Sequence, residues 1–290
     1  MTTAPPLDET TAGRLAAMRQ ALEGVDRLGV AFSGGVDSAV LLAAATRWLG
    51  RDRVRAVLAV SPSLAADERA IAHEVADRIG VELIEISTRE GDREGYVRNG
   101  PDRCYFCKHE LFTVIDDTVA AAHGLTAIAY GENADDALRR DRPGSRAATE
   151  HGVLRPLADA GLTKAEVRAV ARVWGLQVAE KPAAPCLASR IPHFTTVTPW
   201  RLHQIEEAER VLRHAGFRDC RVRHHGATAR IEVPADELSK FDDDGLKDVV
   251  TQGVRAVGFD DVQIDPEGLK SGAFTLAVLD GEAQQGRRHG

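Results

Sequence analysis

The sequence predicts an α/β fold with a parallel sheet, followed by a smaller α+β domain. Short apolar runs alternate with segments of helical periodicity over the first part of the 290-residue chain. This alternation is typical of βαβ units and a parallel sheet. After the proline-rich stretch Lys181-Pro182-Ala183-Ala184-Pro185 the pattern changes to a long helix followed by short strands. We therefore place a domain boundary near residue 190, which divides the chain into domains 1–190 and 191–290.

The individual elements follow from the spacing of the apolar residues. For the first domain we predict, in chain order, a helix over 8–26, a strand over 28–32, a helix over 39–45, a strand over 55–60, a helix over 65–79, a strand over 81–86, a helix over 109–123, a strand over 126–131 and a helix over 163–174. The last helix begins with Thr163 and has Glu166 three residues later, which is the capping-box pattern. For the second domain we predict a helix over 198–214, strands over 220–225 and 229–233, a helix over 246–257 and a strand over 261–265.

Composition and charge restrict the class of protein. The net charge is −7, whereas a protein that binds long duplex nucleic acid usually carries a basic face. No apolar stretch is long enough to span a bilayer, and the first residues lack the pattern of a signal peptide. We therefore expect a cytoplasmic protein without a membrane or nucleic-acid partner, whose four cysteines are not disulfide-bonded.

The segment Ser33-Gly34-Gly35-Val36-Asp37-Ser38 lies between the first strand and the next helix. Its two glycines let several backbone N–H groups point into one concavity, and the helix N-terminus adds partial positive charge. Ser33 and Ser38 add hydroxyl donors, and Asp37 suits a Mg²⁺ ion. The pattern is neither a Walker A loop nor a dinucleotide-binding fingerprint. For the two glycines alone, a tight turn without a ligand would be the simpler interpretation.

Three of the four cysteines are candidates for chemistry. Cys104 and Cys107, in a loop that leads into the helix predicted over 109–123, have a spacing that lets two thiolates bind one metal. Cys186 has Lys181 and Arg190 nearby in sequence, and cations favour the thiolate.

Three interpretations of the cysteines remain open. Cys104, Cys107 and Cys186 bind a [4Fe-4S] cluster with one open iron, or all four cysteines bind zinc, or Cys186 is a lone nucleophile. We favour the cluster over zinc, because the zinc site needs all four cysteines. Cys220 alternates with Val222 in a predicted strand and is expected to be a core thiol, which leaves three cysteines as ligands.

The loop matches the signature that the PP-loop ATP pyrophosphatases carry. Other segments resemble the LarE family in particular, in family order. They are Asn99–Lys108, Gly131–Asp136, Asp141–Gly144, Lys181-Pro182, Cys186–Pro192 and Arg221–Gly226. The resemblance implies a doubly wound parallel sheet that binds ATP at the carboxyl ends of its strands, with contacts from Ser33, Gly34, Gly35, Asp37, Ser38 and Gly131.

The resemblance also implies the reaction. LarE enzymes are sulfur transferases that make pyridinium-3,5-bisthiocarboxylic acid mononucleotide for the nickel-pincer cofactor of lactate racemase. ATP adenylylates a carboxylate of the pyridinium mononucleotide, and sulfur then displaces AMP. One branch of the family sacrifices the sulfur of a cysteine at the position of Cys186. The branch with three cysteines, which Cys104, Cys107 and Cys186 match, holds a [4Fe-4S] cluster that carries a replaceable sulfide.

Substrate-binding candidates lie in the second half of the chain. Arg221 and Arg223 alternate with Val222, so on a strand both point to one face, where they suit a phosphate or carboxylate. The alternative is a solvated basic strand edge, and the resemblance favours substrate binding. It also adds Ser189, Arg190 and Glu209 to the substrate site.

Some assignments stay open. Glu206 and Glu207 share a helix with Glu209, and Asp135 and Asp136 suit either the nucleotide and Mg²⁺ or a helix cap. The chain departs from the LarE pattern at His193-Phe194-Thr195, where a Tyr-Gly pair is expected, and at Asp265–Leu269.

Other functions with the same loop are less consistent with the sequence. A tRNA thiolation enzyme would carry a basic RNA-binding module. An amidating ligase such as NAD synthetase, or a nucleotide-binding module without activity, would leave the cysteines unexplained. The resemblance also implies a homo-oligomer, a trimer or a hexamer.

Overall fold

A computed structural model describes residues 6–138 and 143–269. These residues form two compact units. The first unit contains residues up to 90 together with 104–184, and the second contains 91–103 together with the residues from 185 onward. Residues 91–103 of the second unit are therefore inserted in the sequence between the two parts of the first unit. The sequence patterns did not indicate this insertion.

The described ranges contain twelve α-helices and seven β-strands. The helices are α1 Glu9–Ala21, α2 Val36–Leu49, α3 Ala66–Ile79, α4 Glu94–Val97, α5 Arg103–Val114, α6 Ala121–His123, α7 Ala134–Ala137, α8 Pro143–Glu150, α9 Pro156–Asp159, α10 Lys164–Val173, α11 Pro199–His214 and α12 Asp244–Ala256. The strands are β1 Leu28–Ala31, β2 Val54–Val60, β3 Leu83–Ser87, β4 Ala127–Tyr130, β5 Arg221–His225, β6 Thr228–Glu232 and β7 Asp261–Ile264. No helix in these ranges has both the length and the apolar character that a bilayer crossing requires.

The first unit is built on a four-stranded, all-parallel sheet in the order β3-β2-β1-β4. Successive residues of β2 belong to different hydrophobic clusters: Ala56 and Leu58 pack with α2, α3 and α10, whereas Val57 packs with Phe112 of α5. Because strand side chains alternate between faces, both faces of the sheet are covered. The predicted α/β class with a doubly wound parallel sheet is confirmed.

Two local features bear on the sequence predictions. Thr163 caps α10 and Glu166 completes the capping box, as predicted. The helix expected from 109 begins six residues earlier, at Arg103, and continues after Val114 as a π-helical turn over Ile115–Ala120. Cys104 and Cys107 therefore lie within the first turns of a helix rather than ahead of it.

The second unit is the smaller α+β module that the sequence predicted. β5 and β6 form an antiparallel hairpin, and β7 pairs with β6 in parallel. The hairpin turns at Gly226, whose φ of 67° is in the left-handed region. Its core consists of Val222 and Ile231 from the sheet, packed with apolar residues of α11 and α12.

Candidate active site

The glycine-rich loop joins β1 to α2 in the predicted position. Gly34 has a φ of 69°, and a Cβ atom there would lie 3.0 Å from the Cα atom of Ala72 on α3. Both conditions require glycine. The Ser38 hydroxyl accepts from the Ser33 N–H at 3.3 Å and donates to the Gly35 carbonyl at 3.1 Å. Ser38 therefore holds the curl of the loop, while the exposed Ser33 remains at its surface.

Gly131 brings the end of β4 against the start of α2. A Cβ atom at Gly131 would lie 2.6 Å from the backbone nitrogen of Ser38 and 2.8 Å from the carbonyl carbon of Asp37. No side chain fits at that distance without a backbone shift. The glycine therefore keeps the N-terminus of α2 in place beside the carboxyl end of the sheet.

A cavity of about 290 Å³ opens at this end of the sheet. Its apolar lining comes from β1, β2, β4 and α5. Its polar lining consists of Ser33, Asp37, Ser38, Lys108, Glu132 and Asp136. An apolar wall beside a helix N-terminus suits a flat base and a polyphosphate, which are the two parts of a nucleotide.

Asp37 is held by two residues of the first unit, Lys164 and Asn133. Its carboxylate pairs with the Lys164 ammonium, and its Oδ1 accepts from the Asn133 side chain at 3.2 Å. Asn133 is also the N-cap of α7, since its Oδ1 accepts from the Asp136 N–H at 3.0 Å. Asp135 accepts from the backbone N–H of Lys164 at 2.8 Å, at the start of α10. Of the two open candidates, Asp136 lines the cavity, whereas Asp135 stabilises a helix start.

Lys181 contacts the phosphate loop. Its ammonium donates to the Gly34 carbonyl at 3.3 Å and pairs with Glu68 of α3 at 2.6 Å. The positive charge of Lys181, expected to favour the thiolate of Cys186, is therefore partly offset by the Glu68 carboxylate.

The cysteines differ in exposure. Cys104 and Cys186 are exposed, and Cys107 is half-buried. Cys220 is buried in the core of the second unit, and this burial raises the pKa of its thiol to about 12. The environment of Cys220 agrees with a core thiol and not with a metal ligand.

A metal site would need several of these thiols to lie close together. Cys104 and Cys107 lie one turn apart on α5, where side chains three residues apart face the same way. Within residues 6–138 and 143–269, however, no group of three or more His, Cys, Asp and Glu side chains is arranged to hold a metal ion. The described geometry thus provides a pair of neighbouring thiols on α5.

Arg190 holds the segment that carries Cys186. Its guanidinium forms a bidentate pair with Glu209 of α11, with distances of 2.8 and 3.1 Å. It also donates to the carbonyl oxygens of Pro185 and Cys186. Both partners of the pair are almost completely buried, and although burial opposes the charge, the Glu209 carboxylate raises the pKa of Arg190. Glu209 also accepts from the Val222 N–H at 3.1 Å, so the pair links the Cys186 segment, α11 and β5.

Arg221 and Arg223 are buried on either side of Val222 in β5. Arg221 pairs with Asp219, and Arg223 pairs with Glu232 at 2.7 Å and donates to the Ser189 carbonyl at 3.1 Å. The alternative of a solvated basic strand edge is therefore wrong. Their contact with a substrate stays a prediction, as it does for Ser189, Arg190 and Glu209.

Asn99 is a structural residue whose role the sequence patterns did not reveal. It is completely buried with a φ of 59°, a conformation that asparagine tolerates better than most residues. Its side-chain N–H groups donate to the carbonyls of Ile191, Pro192 and Thr195 at 3.3, 2.8 and 2.9 Å. Its Oδ1 accepts from Arg103, which also donates to the Ala188 carbonyl at 2.9 Å. The inserted segment 91–103 thus organises the chain that follows Cys186.

Phe194 lies in the loop that Asn99 organises. Its φ is 65°, and its N–H donates to the Asn99 carbonyl at 3.0 Å. The left-handed region costs a non-glycine residue on the order of 1 kcal/mol. The same position departs from the Tyr-Gly pattern, so a bulky aromatic residue stands where the backbone suits glycine.

Asp141 and Arg142, part of one segment that resembles the LarE family, lie outside the described residues. Lys164 was missed as a site residue because it contacts Asp37 only through the tertiary fold. Its place directly after the cap Thr163, at a helix start, was the available signal.

Comparison with known proteins supports the family assignment. A model of the asparagine synthase family matches residues 15–104. An uncharacterized protein of Synechocystis sp. is 39% identical over 265 residues, which cover 91% of this chain and 98% of that protein. The pyridinium-3,5-bisthiocarboxylic acid mononucleotide synthase of Lactiplantibacillus plantarum is 35% identical over 265 residues, which cover 91% of this chain and 94% of that enzyme. An uncharacterized protein of Methanocaldococcus jannaschii is 28% identical over 247 residues, or 83% of this chain and 90% of that protein. Since a named synthase is matched over nearly its whole length and the PP-loop fold is present, this chain belongs to the LarE family and is an ATP-using enzyme of that type.

Proposed function

We propose that this enzyme transfers sulfur to pyridinium-3,5-biscarboxylic acid mononucleotide. ATP adenylylates a carboxylate of this substrate, and sulfur replaces the activated oxygen to give a thiocarboxylate for the nickel-pincer cofactor. The observation that carries the proposal is the loop over 33–38, which opens onto the cavity at the carboxyl end of the sheet. The relative from Lactiplantibacillus plantarum, whose name specifies the bisthiocarboxylic product, supports the choice of substrate.

The first step uses the residues of the loop. A carboxylate oxygen of the substrate attacks the α-phosphorus of ATP, the bond to the bridging oxygen breaks, and pyrophosphate leaves. Backbone N–H groups at the start of α2 and the Ser33 hydroxyl would donate to the departing phosphates. The product of this step is an acyl adenylate, in which AMP is a good leaving group.

A magnesium ion fits the acidic side chains at the cavity. Asp37 and Asp136 both line it, and carboxylate oxygens are the ligands that Mg²⁺ prefers. Such an ion would offset the charge of the phosphates. Asp37 would then exchange its bond with Lys164 for one to the metal, and Lys164 would be released toward the pyrophosphate.

The second step delivers sulfur, and Cys186 is the candidate on an exposed segment. Its thiolate attacks the acyl carbon, the bond to the AMP oxygen breaks, and a thioester forms. A base then removes the Cα proton of Cys186, and the Cβ–S bond breaks with its electron pair going to sulfur. The thiocarboxylate leaves and dehydroalanine remains at position 186, so each chain supplies one sulfur atom.

A [4Fe-4S] cluster is the alternative sulfur source, with Cys104, Cys107 and Cys186 as its three ligands. Bound there, it would supply a replaceable sulfide and would spare the cysteine.

One experiment tests the function and separates the two sulfur sources. The anaerobically purified enzyme is incubated with ATP, Mg²⁺ and the pyridinium dicarboxylate mononucleotide, and AMP, pyrophosphate and thiocarboxylate are quantified. We expect AMP and pyrophosphate in equal amounts and a product in which sulfur has replaced oxygen. Loss of the mass of H₂S from the peptide with Cys186 indicates the sacrificial route, whereas an intact peptide with bound iron and sulfide indicates a cluster. No substrate-dependent AMP formation would disprove the proposed function.

A further inference from the structure

We propose that the ring of Phe194 is the surface on which the pyridinium ring of the substrate stacks. This inference rests on the proposed function, since the ligand is the aromatic cation that the function supplies. It adds a specificity-determining residue that the sequence patterns and the comparisons do not assign.

The first observation is the combination of strain and exposure at Phe194. Phe194 is 68% exposed, so the backbone strain is not offset by burial of the ring in a core. Strained backbone conformations persist where the surrounding structure enforces them, and they cluster at ligand-binding sites. The backbone at Phe194 is therefore held in a strained conformation that packing of its ring does not compensate.

The second observation is how rigidly the loop is built. Asn99 donates to the carbonyls on both sides of Phe194, those of Pro192 and Thr195, and accepts from the Phe194 N–H itself. The neighbouring His193 ring also bonds to the Asn99 carbonyl, at 3.1 Å. A single buried residue thus determines the path of the whole loop, which is the preorganisation that a binding surface needs.

The third observation is the position of the loop in the second unit. Phe194 lies four residues after Arg190, whose guanidinium orients the Cys186 segment. The carbonyl of Ser189, the residue before Arg190, accepts a hydrogen bond from Arg223. Three of the predicted substrate contacts of this unit, Arg190, Arg221 and Arg223, are guanidiniums, which suit phosphate and carboxylate groups. They leave the flat face of a cationic ring to be recognised, and the face of a benzene ring attracts such a cation.

Trp200 shows why exposure alone does not support this inference. Trp200 is 60% exposed, but it lies in the first turn of α11 with ordinary helical geometry. Single exposed apolar residues are normal on protein surfaces. Trp200 is therefore a matched control for Phe194, because both are exposed aromatic residues of the second unit.

The test compares Phe194→Gly, Phe194→Leu and Phe194→Tyr with wild type and with Trp200→Ala. Phe194→Gly removes both the ring and the strain, so we expect its melting temperature to stay the same or rise. The concentration of pyridinium substrate that gives half the maximal rate of AMP formation in a single turnover should rise roughly 3- to 30-fold. Phe194→Leu keeps the strain but lacks a π face, so its half-saturating substrate concentration should rise similarly. Phe194→Tyr and Trp200→Ala should keep the wild-type value, and the half-saturating concentration of ATP should not change in any variant.

The outcomes distinguish this inference from the proposed function. Wild-type enzyme that forms no AMP with the pyridinium substrate would disprove both. Active wild type with an unchanged half-saturating substrate concentration in Phe194→Gly and Phe194→Leu would overturn the inference alone. If Phe194→Gly instead lowers the molar mass in solution, measured by light scattering, and leaves the half-saturating substrate concentration unchanged, the ring belongs to a contact between copies of the chain and the inference is wrong.

Discussion

The Lys164 ammonium is paired with the Asp37 carboxylate, so the acidic residue of the phosphate loop is neutralised by the first residue of α10. Asp37→Asn removes the charge that would bind Mg²⁺. We expect AMP formation to fall by roughly a hundredfold, because stabilisation of the departing phosphates is lost. Asp52→Asn, at an exposed turn after α2, is the control and should keep full activity. Normal AMP formation in Asp37→Asn would contradict the assigned role, and both variants can be compared by the pyrophosphate that they release.

Gly131→Ala tests the close approach of β4 to α2. The added methyl group would overlap the Ser38 nitrogen, so the start of α2 must move. We expect a loss of about 1–3 kcal/mol in the free energy of unfolding and a marked loss of ATP affinity, measured by calorimetry.

Gly13→Ala is the matched control, since Gly13 lies in α1 and nothing lies within 4 Å of a Cβ atom there. A helical alanine should raise stability by roughly 0.5–1 kcal/mol and leave ATP affinity unchanged. Equal ATP affinity in both variants would show that the contact at Gly131 does not matter for the loop.

Glu209 and Glu207 lie two residues apart on α11 but differ in environment. Glu209→Ala leaves the buried Arg190 guanidinium without its carboxylate, and we expect a loss of about 3–5 kcal/mol in urea unfolding. Glu207 pairs with Arg210 at the surface, so Glu207→Ala should cost less than about 1 kcal/mol. If the two losses are equal, the buried pair does not hold the Cys186 segment as we describe.

The thiols should react in the order of their exposure. With iodoacetamide at pH 8, Cys104 and Cys186 should be alkylated in the native protein. Cys220 should not react, because it is buried and its pKa of about 12 leaves almost no thiolate. Peptide mapping by mass spectrometry checks this, and unfolded protein, in which Cys220 must react, is the control. Rapid alkylation of Cys220 in folded protein would contradict its placement in the core.

Local patterns predicted the sheet and the phosphate loop because both depend on residues close in sequence. Alternating apolar runs determine β1 to β4, and glycines next to a strand determine the curl at Gly34. The partners of the site residues were not predictable in the same way. Lys164 is far from Asp37 in the chain, and Glu232 reaches Arg223 only across the hairpin of β5 and β6. Such contacts depend on which segments the tertiary fold brings together, and no spacing rule encodes them.

The position of Asn99 has a consequence for the order in which the chain folds during synthesis. The segment 91–103 leaves the ribosome before α5, β4 and α10, yet its partners over 185–195 emerge long after it. Long-range contacts of this kind form late, since the intervening chain must first be closed into a loop. The sheet of the first unit therefore has to form while segment 91–103 still lacks its hydrogen-bond partners. A fragment that ends at residue 184 would never contain those partners, so the two units cannot be produced as consecutive pieces.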